Sequence, residues 1–256
     1  MNAAKAAPRT LDGVAPGAPG GGVPAASGEA APWDSASASE SAQGTGAVPG
    51  LVVGRAATAE DYLWFAGVDE LADGFCFTWV RGLTPQQVIK STGGKELERI
   101  GWEQLVGSGD GQQAGADRYF YGVAHVGDWA LLVEDSGSFG TTNSRAWPLS
   151  RGTTLVSHYR ARDGHGRVLV LEDEDVRLDF DPIEAEKITG RSADSLAPVI
   201  AAVGFSHAQS LRSGDQRAYR TYCMEAAFAL TERITGVGMT EDLIEKLTYL
   251  LTSVPR

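Results

Sequence analysis

The stretch GFCFTWVRGLTPQQVI (74–89) carries the clearest pattern of apolar positions in the chain. Residues 75, 77 and 79 would lie on one face of a strand and residues 76, 78 and 80 on the other, and both sets are mostly apolar. This pattern is typical of a strand in the middle of a sheet, covered on both faces. We expect the strand to end at Gly82, and Arg81 to mark where it reaches water.

Capping signals place helices on either side of this strand. Thr58 is followed by two acids and an apolar run, which predicts a short helix ending at Gly67. Thr84 followed by Pro85 predicts a helix that begins directly after the strand. Residues 95–116 are ambiguous: ELERIGWEQLV is open to interpretation as a helix broken at Gly101, and GSGDGQQAGAD is expected to be a flexible loop.

The middle of the chain reads as antiparallel strands. RYFYGVAHV and WALLVED flank a Gly-Asp turn, and TTLVSHYRA and GRVLVLEDE flank the turn RDGHG, which predicts two hairpins. VRLDFDP adds one more strand before Pro182.

From residue 193 onward the pattern is helical. In QRAYRTYCMEAAFALTERITG, apolar residues recur every three or four positions and form a buried stripe that ends at Gly236. Thr240 is expected to cap a last helix through EDLIEKLTYLL. Strands followed by helices predict an α+β fold: a mainly antiparallel sheet of about five to six strands, packed with helices and completed by C-terminal helices.

The first 50 residues differ in composition from the rest, because 34 of them are Ala, Gly, Pro or Ser. Such a segment cannot bury enough surface to offset its ordering entropy. We therefore predict a disordered tail over residues 1–57 and a single α+β domain over residues 58–256. A tethering role and an unselected extension remain open for the tail.

The net charge limits the class of binding partner, and the cysteines indicate the cellular compartment. A net charge of −11 without a Lys/Arg cluster argues against nucleic acid and against an anionic membrane surface. The acidity is common in soluble proteins and also permits a basic partner. Cys76 and Cys223 read as buried free thiols, no apolar run predicts a signal peptide or a membrane span, and we expect a cytoplasmic protein.

Sequence motifs for catalysis and cofactor binding are missing. The chain has no P-loop and no dinucleotide-binding glycine motif, and GFSHA lacks both the second glycine and the preceding strand of a nucleophile elbow. Histidines at metal-ligand spacing are also missing, although a site shared across strands by His125 and His158 is an alternative to structural histidines. We therefore expect no cofactor and no metal.

Two segments are the candidate contact regions. LEDEDVRLDFD (171–181) holds six acids, which would either bind a cation or a basic partner, or guard a sheet edge. The loop after WALLVED places Phe139 between glycines at a strand end, either as a contact residue or folded back on the core. The candidate functional residues are Arg81, His125, Trp129, Glu134, Gly137 and Phe139, with Arg81 more readily explained as structural.

The stretches FTWVRGLTPQQVI, GDWALLVEDSGSFG, FDP and EAAFALTERITGVGMTEDLIEK, in this order, resemble an uncharacterised domain-of-unknown-function family with many members in high-GC Gram-positive bacteria. The resemblance covers roughly residues 60–256. It implies a compact cytoplasmic α+β domain and supplies no activity, cofactor or catalytic residue. The motif positions that it carries over are Phe77, Arg81, Gly82, Trp129, Glu134 and Gly137.

Three functions follow as expectations. The first is a non-enzymatic binding or accessory protein, immunity-like or a complex partner, with an acidic surface and a protein partner. The second is an enzyme of unrecognised type that uses Arg81, Glu134 and a histidine in a cleft at the strand ends. The third is a small-ligand sensor with an apolar cavity.

Overall fold

The computed structural model describes residues 56–106, 118–211 and 214–255. Over these residues the chain is an α+β protein built on one antiparallel sheet of eight strands. The strands are β1 (Gly74–Arg81), β2 (Lys95–Ile100), β3 (Arg118–Val126), β4 (Trp129–Asp135), β5 (Thr154–Ala161), β6 (Gly166–Glu172), β7 (Asp175–Phe180) and β8 (Tyr249–Pro255). Their order across the sheet is β2-β8-β3-β4-β1-β5-β6-β7. Most of the tail predicted over residues 1–57 and the loop predicted over GSGDGQQAGAD lie outside the described residues.

The α-helices are α1 (Pro85–Ser91), α2 (Trp102–Val106), α3 (Asn143–Leu149), α4 (Ala193–Ile200), α5 (Ser206–Leu211), α6 (Gln216–Thr235) and α7 (Glu241–Lys246). Short 3₁₀ helices occupy Ala59–Gly67, Asp69–Leu71, Phe139–Thr141 and Pro182–Lys187, and a π-helical turn occupies Ala201–Phe205. The helix predicted to begin after Thr58 is therefore a 3₁₀ helix. The helix predicted after Thr84 is α1, and its capping box is formed by reciprocal hydrogen bonds between Thr84 and Gln87.

The central position predicted for β1 is confirmed. It pairs with β4 on one side and with β5 on the other, and every residue from Gly74 to Val80 is buried. Phe75, Phe77 and Trp79 face the core beneath α6, where Phe228 packs against Phe75 and Phe77. We call this side of the sheet the α6 face.

The opposite side of the sheet is covered by α1, α3 and the loop that follows β4, and we call it the loop face. Its core includes Val80 of β1, Val88 of α1, Leu149 of α3 and Phe139 of the loop. The two cores explain why apolar residues occupy both sets of alternating positions in β1, because both of its faces are covered.

The predicted strand count was too low, and two segments account for the difference. The ambiguous stretch after Gly94 is β2 followed by the short helix α2. The last predicted helix is shorter than expected, because α7 ends at Lys246 and Tyr249–Pro255 forms β8. β8 pairs with β2 and β3 through backbone hydrogen bonds. These bonds to two distant segments outweigh the helical spacing of Leu243, Leu247 and Leu250, on which the prediction of a longer helix depended.

Candidate functional site

The predicted residues Arg81, His125 and Glu134 do not converge. Arg81 is exposed at the end of β1, opposite Trp129 of β4. Glu134 lies at the other end of the same ladder, opposite Cys76, and His125 is exposed on β3. The cleft expected for an enzyme using these three residues is therefore not formed by them.

Trp129 and the other predicted histidine have structural surroundings on the α6 face. Trp129 is buried, and its indole N–H donates to the carbonyl of Thr235 at 2.9 Å. His158 is fully buried between Phe75 and Phe228. Burial and the nearby Arg160 lower the pKa of His158 to about 3, so this imidazole is neutral in the core.

The loop after β4 folds back on the loop face. Phe139 is buried, and its backbone N–H donates to Glu134 Oε1 at 3.1 Å, while the N–H of Gly140 donates to Oε2 at 3.4 Å. Burial raises the pKa of Glu134 to about 7, opposed by these backbone donors and by the Cys76 thiol. A Cβ on Gly137 would lie 2.2 Å from Glu134 Oε1, so the loop is packed directly against this carboxyl group.

Beneath this loop, hydroxyl and thiol groups of β1 and β5 form a closed polar cluster. The hydroxyls of Thr78 and Ser157 are 2.8 Å apart, and Cys76 Sγ is 3.4 Å from the Ser157 hydroxyl. Burial raises the pKa of Cys76, which keeps it a thiol. Because the loop seals these groups from solvent, their arrangement supports a structural role for Glu134 and Gly137.

The acidic side chains of residues 171–181 already contact other groups of the protein. Each of the six acids has a partner: four pair with arginines, Asp181 contacts His165, and Asp173 accepts a hydrogen bond from the backbone N–H of Gly152. The pairs are Glu172 with Arg177, Glu174 with Arg151, Asp175 with Arg191, Asp179 with Arg167 and Asp181 with His165. Much of the negative charge of this run is therefore balanced locally.

Two features are absent from the described residues. In the ranges 56–106, 118–211 and 214–255, no group of three or more His, Cys, Asp or Glu side chains has the arrangement needed to hold a metal ion. Within the same ranges, none of the helices combines the length and the apolar character required to cross a membrane.

A cavity of about 570 Å³ opens on the α6 face, at the end of the sheet where β1 begins. It lies between the 3₁₀ segments near residues 65–72, the turn joining β5 to β6, and α6. Its volume falls within the range of small-molecule sites. Its large apolar lining residues are Phe65, Leu71, Phe75 and Met224, and seven charged side chains also line it.

One side of helix α6 forms a wall of this cavity. Arg217, Arg220, Thr221, Met224 and Glu225 all line it. They recur at intervals of three and four residues, so they share one side of the helix. Asp215 caps the helix by accepting hydrogen bonds from two backbone N–H groups, which fixes where this side begins.

Four arginines line the cavity: Arg160, Arg162, Arg217 and Arg220. Arg160 donates to the carbonyls of Leu71 and Ala72 and lies 5.3 Å from the Phe75 ring centre. Three of the four guanidinium groups are thus held in place, because Arg162 pairs with an aspartate and Arg220 donates to a carbonyl of the β5–β6 turn.

The fourth arginine, Arg217, is exposed. No described residue accepts a hydrogen bond from its guanidinium group or forms an ion pair with it. A guanidinium without a protein partner retains all of its N–H donors for an anionic ligand.

Glu225 is the second group in this cavity without a partner. Its side chain is 2% exposed, and neither carboxyl oxygen accepts a hydrogen bond from any described residue. Burial and, to a smaller extent, the negative charge of Glu60 together raise the pKa of Glu225 to about 7. Buried polar groups are usually hydrogen-bonded, so an unpaired buried carboxyl group beside a cavity indicates a ligand contact.

The sequence contains a signal for this site that the pattern analysis missed. The segment YCMEAAFAL is apolar apart from one acid, Glu225, at a position buried in α6. An acid is rarely buried without a partner, so the position of Glu225 in this apolar segment was enough to make it a functional candidate. The arginines gave no comparable signal, because they come from two separate segments, the β5–β6 hairpin and α6.

The fold and the cavity together define an α+β protein with a single antiparallel sheet and a charged cavity of ligand size against one face. The chain belongs to the family of unknown function DUF6461, whose model matches residues 55–256. No curated protein and no solved structure matches the chain.

Proposed function

We propose that this domain is a binding protein that takes up a small anionic molecule in the cavity beside α6. The observation that carries the proposal is the lining of this cavity, where four arginines outnumber three acids, Asp69, Asp163 and the unpaired buried Glu225, in a chain of net charge −11. Guanidinium groups recognise carboxylates and phosphates through paired N–H donors. The protein as a whole carries an excess of negative charge, so four arginines at one cavity are not typical of its surface.

The arginines support binding because most of them are already positioned. Arg160 is held by two backbone carbonyls and by the Phe75 ring, and Arg220 is held by the turn between β5 and β6. A positioned donor loses little conformational entropy when a ligand arrives. This function differs from the small-ligand sensor expected from the sequence, because that sensor called for an apolar cavity without convergent acids or bases.

The protein partner expected from the acidity remains a second proposal of lower rank. The ion pairs within residues 171–181 reduce the charge that this segment offers to a basic partner. A cytoplasmic location belongs to the proposal as well, supported by the two buried free thiols, Cys76 and Cys223, which suit a reducing compartment.

Replacing Arg217 by Gln is expected to weaken binding of anionic probes by about tenfold, since one charge-assisted hydrogen bond contributes roughly 1.5 kcal/mol or more. Calorimetric titration of the wild type and the variant with glutarate, hexanoate and inorganic phosphate measures this. The wild-type affinity is also expected to fall as salt is raised.

Arg151→Gln is the matched control, because it removes the same charge from an exposed ion pair outside the cavity. It should leave probe affinity unchanged. If no anionic probe binds the wild type, or if both variants lose affinity equally, the cavity is not the anion site that we propose.

A further inference from the structure

Glu225 needs a different chemical partner from the arginines. A carboxylate accepts hydrogen bonds, so its partner in the cavity has to be a donor, and a cationic donor satisfies it most fully. Both carboxyl oxygens are almost closed to solvent, so a donor reaches them only when the Glu225 side chain turns toward the cavity that it lines. Neither of its oxygens is bonded to one of the arginines that line the same cavity.

The charged groups around Glu225 reinforce this requirement. Glu60, from the 3₁₀ helix that packs on α6, is a second acid close enough to raise its pKa. Glu60 itself accepts a hydrogen bond from the hydroxyl of Tyr222 at 2.7 Å. The cavity thus has an acidic end at Glu225, with Glu60 nearby, and an arginine-rich end formed by α6 and the β5–β6 turn, where Asp163 also lines it.

Helix geometry separates the two ends. Glu225 follows Arg220 by five residues and Arg217 by eight, which correspond to about 8 Å and about 12 Å along the helix axis. This offset of the backbone positions favours a ligand whose two charges are separated over a compact α-amino acid such as glycine.

We propose that the ligand of this cavity is zwitterionic, with a protonated amine at Glu225 and a carboxylate or phosphate at Arg217 and Arg220. This inference rests on the proposed anion-binding function and adds the second recognition group. Glu225 is then the specificity-determining residue, since it distinguishes an amino-terminated anion from the same anion without its amine. A buried acid left unpaired by the wrong ligand is a strong source of discrimination.

Three matched probes test the inference by calorimetric titration at pH 8: 6-aminohexanoate carries both charges at a separation, hexanoate lacks the amine, and glycine carries both charges close together. The wild type is expected to bind 6-aminohexanoate at least tenfold more tightly than hexanoate and more tightly than glycine. Glu225→Gln is expected to reduce the preference over hexanoate to near unity.

Glu103→Gln serves as the control, because it removes an exposed acid of α2 that does not line the cavity. It should preserve the preference for the amine. Equal affinity of the wild type for the two six-carbon probes overturns the inference, as does a preference that persists in Glu225→Gln.

These failures are distinguishable from failure of the anion-binding function. If hexanoate binds and Arg217→Gln weakens it, but the amine adds nothing, the proposed function stands and the zwitterionic ligand is rejected. If glutarate or phosphate binds but none of these three probes does, the proposed function stands and the zwitterionic ligand is rejected. If no probe of either set binds the wild type, both proposals are rejected together.

Discussion

Replacing Glu225 by Gln is expected to stabilise the folded protein by about 2 kcal/mol at pH 8 and to change its stability little at pH 4.5. Burial raises the pKa of Glu225 to about 7 from its ordinary value of 4.5. The folded state therefore holds this proton more tightly than the unfolded state does. One pKa unit corresponds to about 1.4 kcal/mol, and 2 kcal/mol allows for partial relaxation of the site.

The sign follows from proton linkage. Because the pKa is raised in the folded state, the contribution of Glu225 is most favourable below pH 4.5. It declines as pH rises from about 4.5 to about 7, and is constant above that range. Glu134, whose pKa is also raised to about 7, contributes in the same direction. Glu225→Gln should therefore reduce this decline without abolishing it.

Urea denaturation of the wild type and of Glu225→Gln at pH 4.5, 6 and 8 measures the difference, with Glu103→Gln as an exposed control. Equal stability of wild type and Glu225→Gln at pH 8 would show that the carboxyl group has a partner or access to water. The expected outcome, a gain in stability when the Glu225 carboxyl group is removed, is typical of residues that are retained for binding.

Gly140→Ala is expected to destabilise the fold by about 3 kcal/mol, at the upper end of overpacking effects. A Cβ at this position would lie 1.7 Å from the Thr78 hydroxyl oxygen and 2.8 Å from the Ser157 hydroxyl oxygen. Both atoms belong to central strands, β1 and β5, which cannot move apart without breaking their ladder. The loop would have to lift, and Glu134 would lose the two backbone donors that it now has.

Gly67→Ala provides the comparison, because no atom lies within 4 Å of a Cβ built there. Its expected effect is within about 0.5 kcal/mol, as for other surface substitutions. Thermal and urea denaturation of the two variants measure the contrast. Similar stability of the two would mean that the loop over β1 and β5 yields easily, and that Glu134 does not hold it in place.

The elements predicted correctly from the sequence are those determined by local chemistry. The two apolar faces of β1, the reciprocal capping of Thr84 and Gln87, and the apolar stripe of α6 depend on residues close together in the chain. β2 and β8 were missed for the opposite reason. KELERI has five exposed residues and no apolar alternation, and it becomes a strand because β8 pairs with it.

The candidate site shows the same limit more strongly. Phe139 and Glu134 were interpreted as functional residues because of their types and positions. In the structure both are buried where the loop after β4 folds back on the sheet. The cavity is assembled from the β5–β6 turn, the 3₁₀ segments and α6, which are separated along the chain. No spacing rule connects Arg160 to Glu225, because their proximity is a result of the tertiary fold.

The position of β8 has a consequence for how the protein acquires its structure. β8 lies between β2 and β3, although its residues follow those of β3 by more than 100 positions. During synthesis, β2 and β3 therefore emerge early with unsatisfied backbone edges and wait until α6, α7 and β8 have been made. Contacts so distant in sequence slow folding and leave strand edges exposed to other chains. We expect nascent chains of this protein to depend on chaperones during this interval.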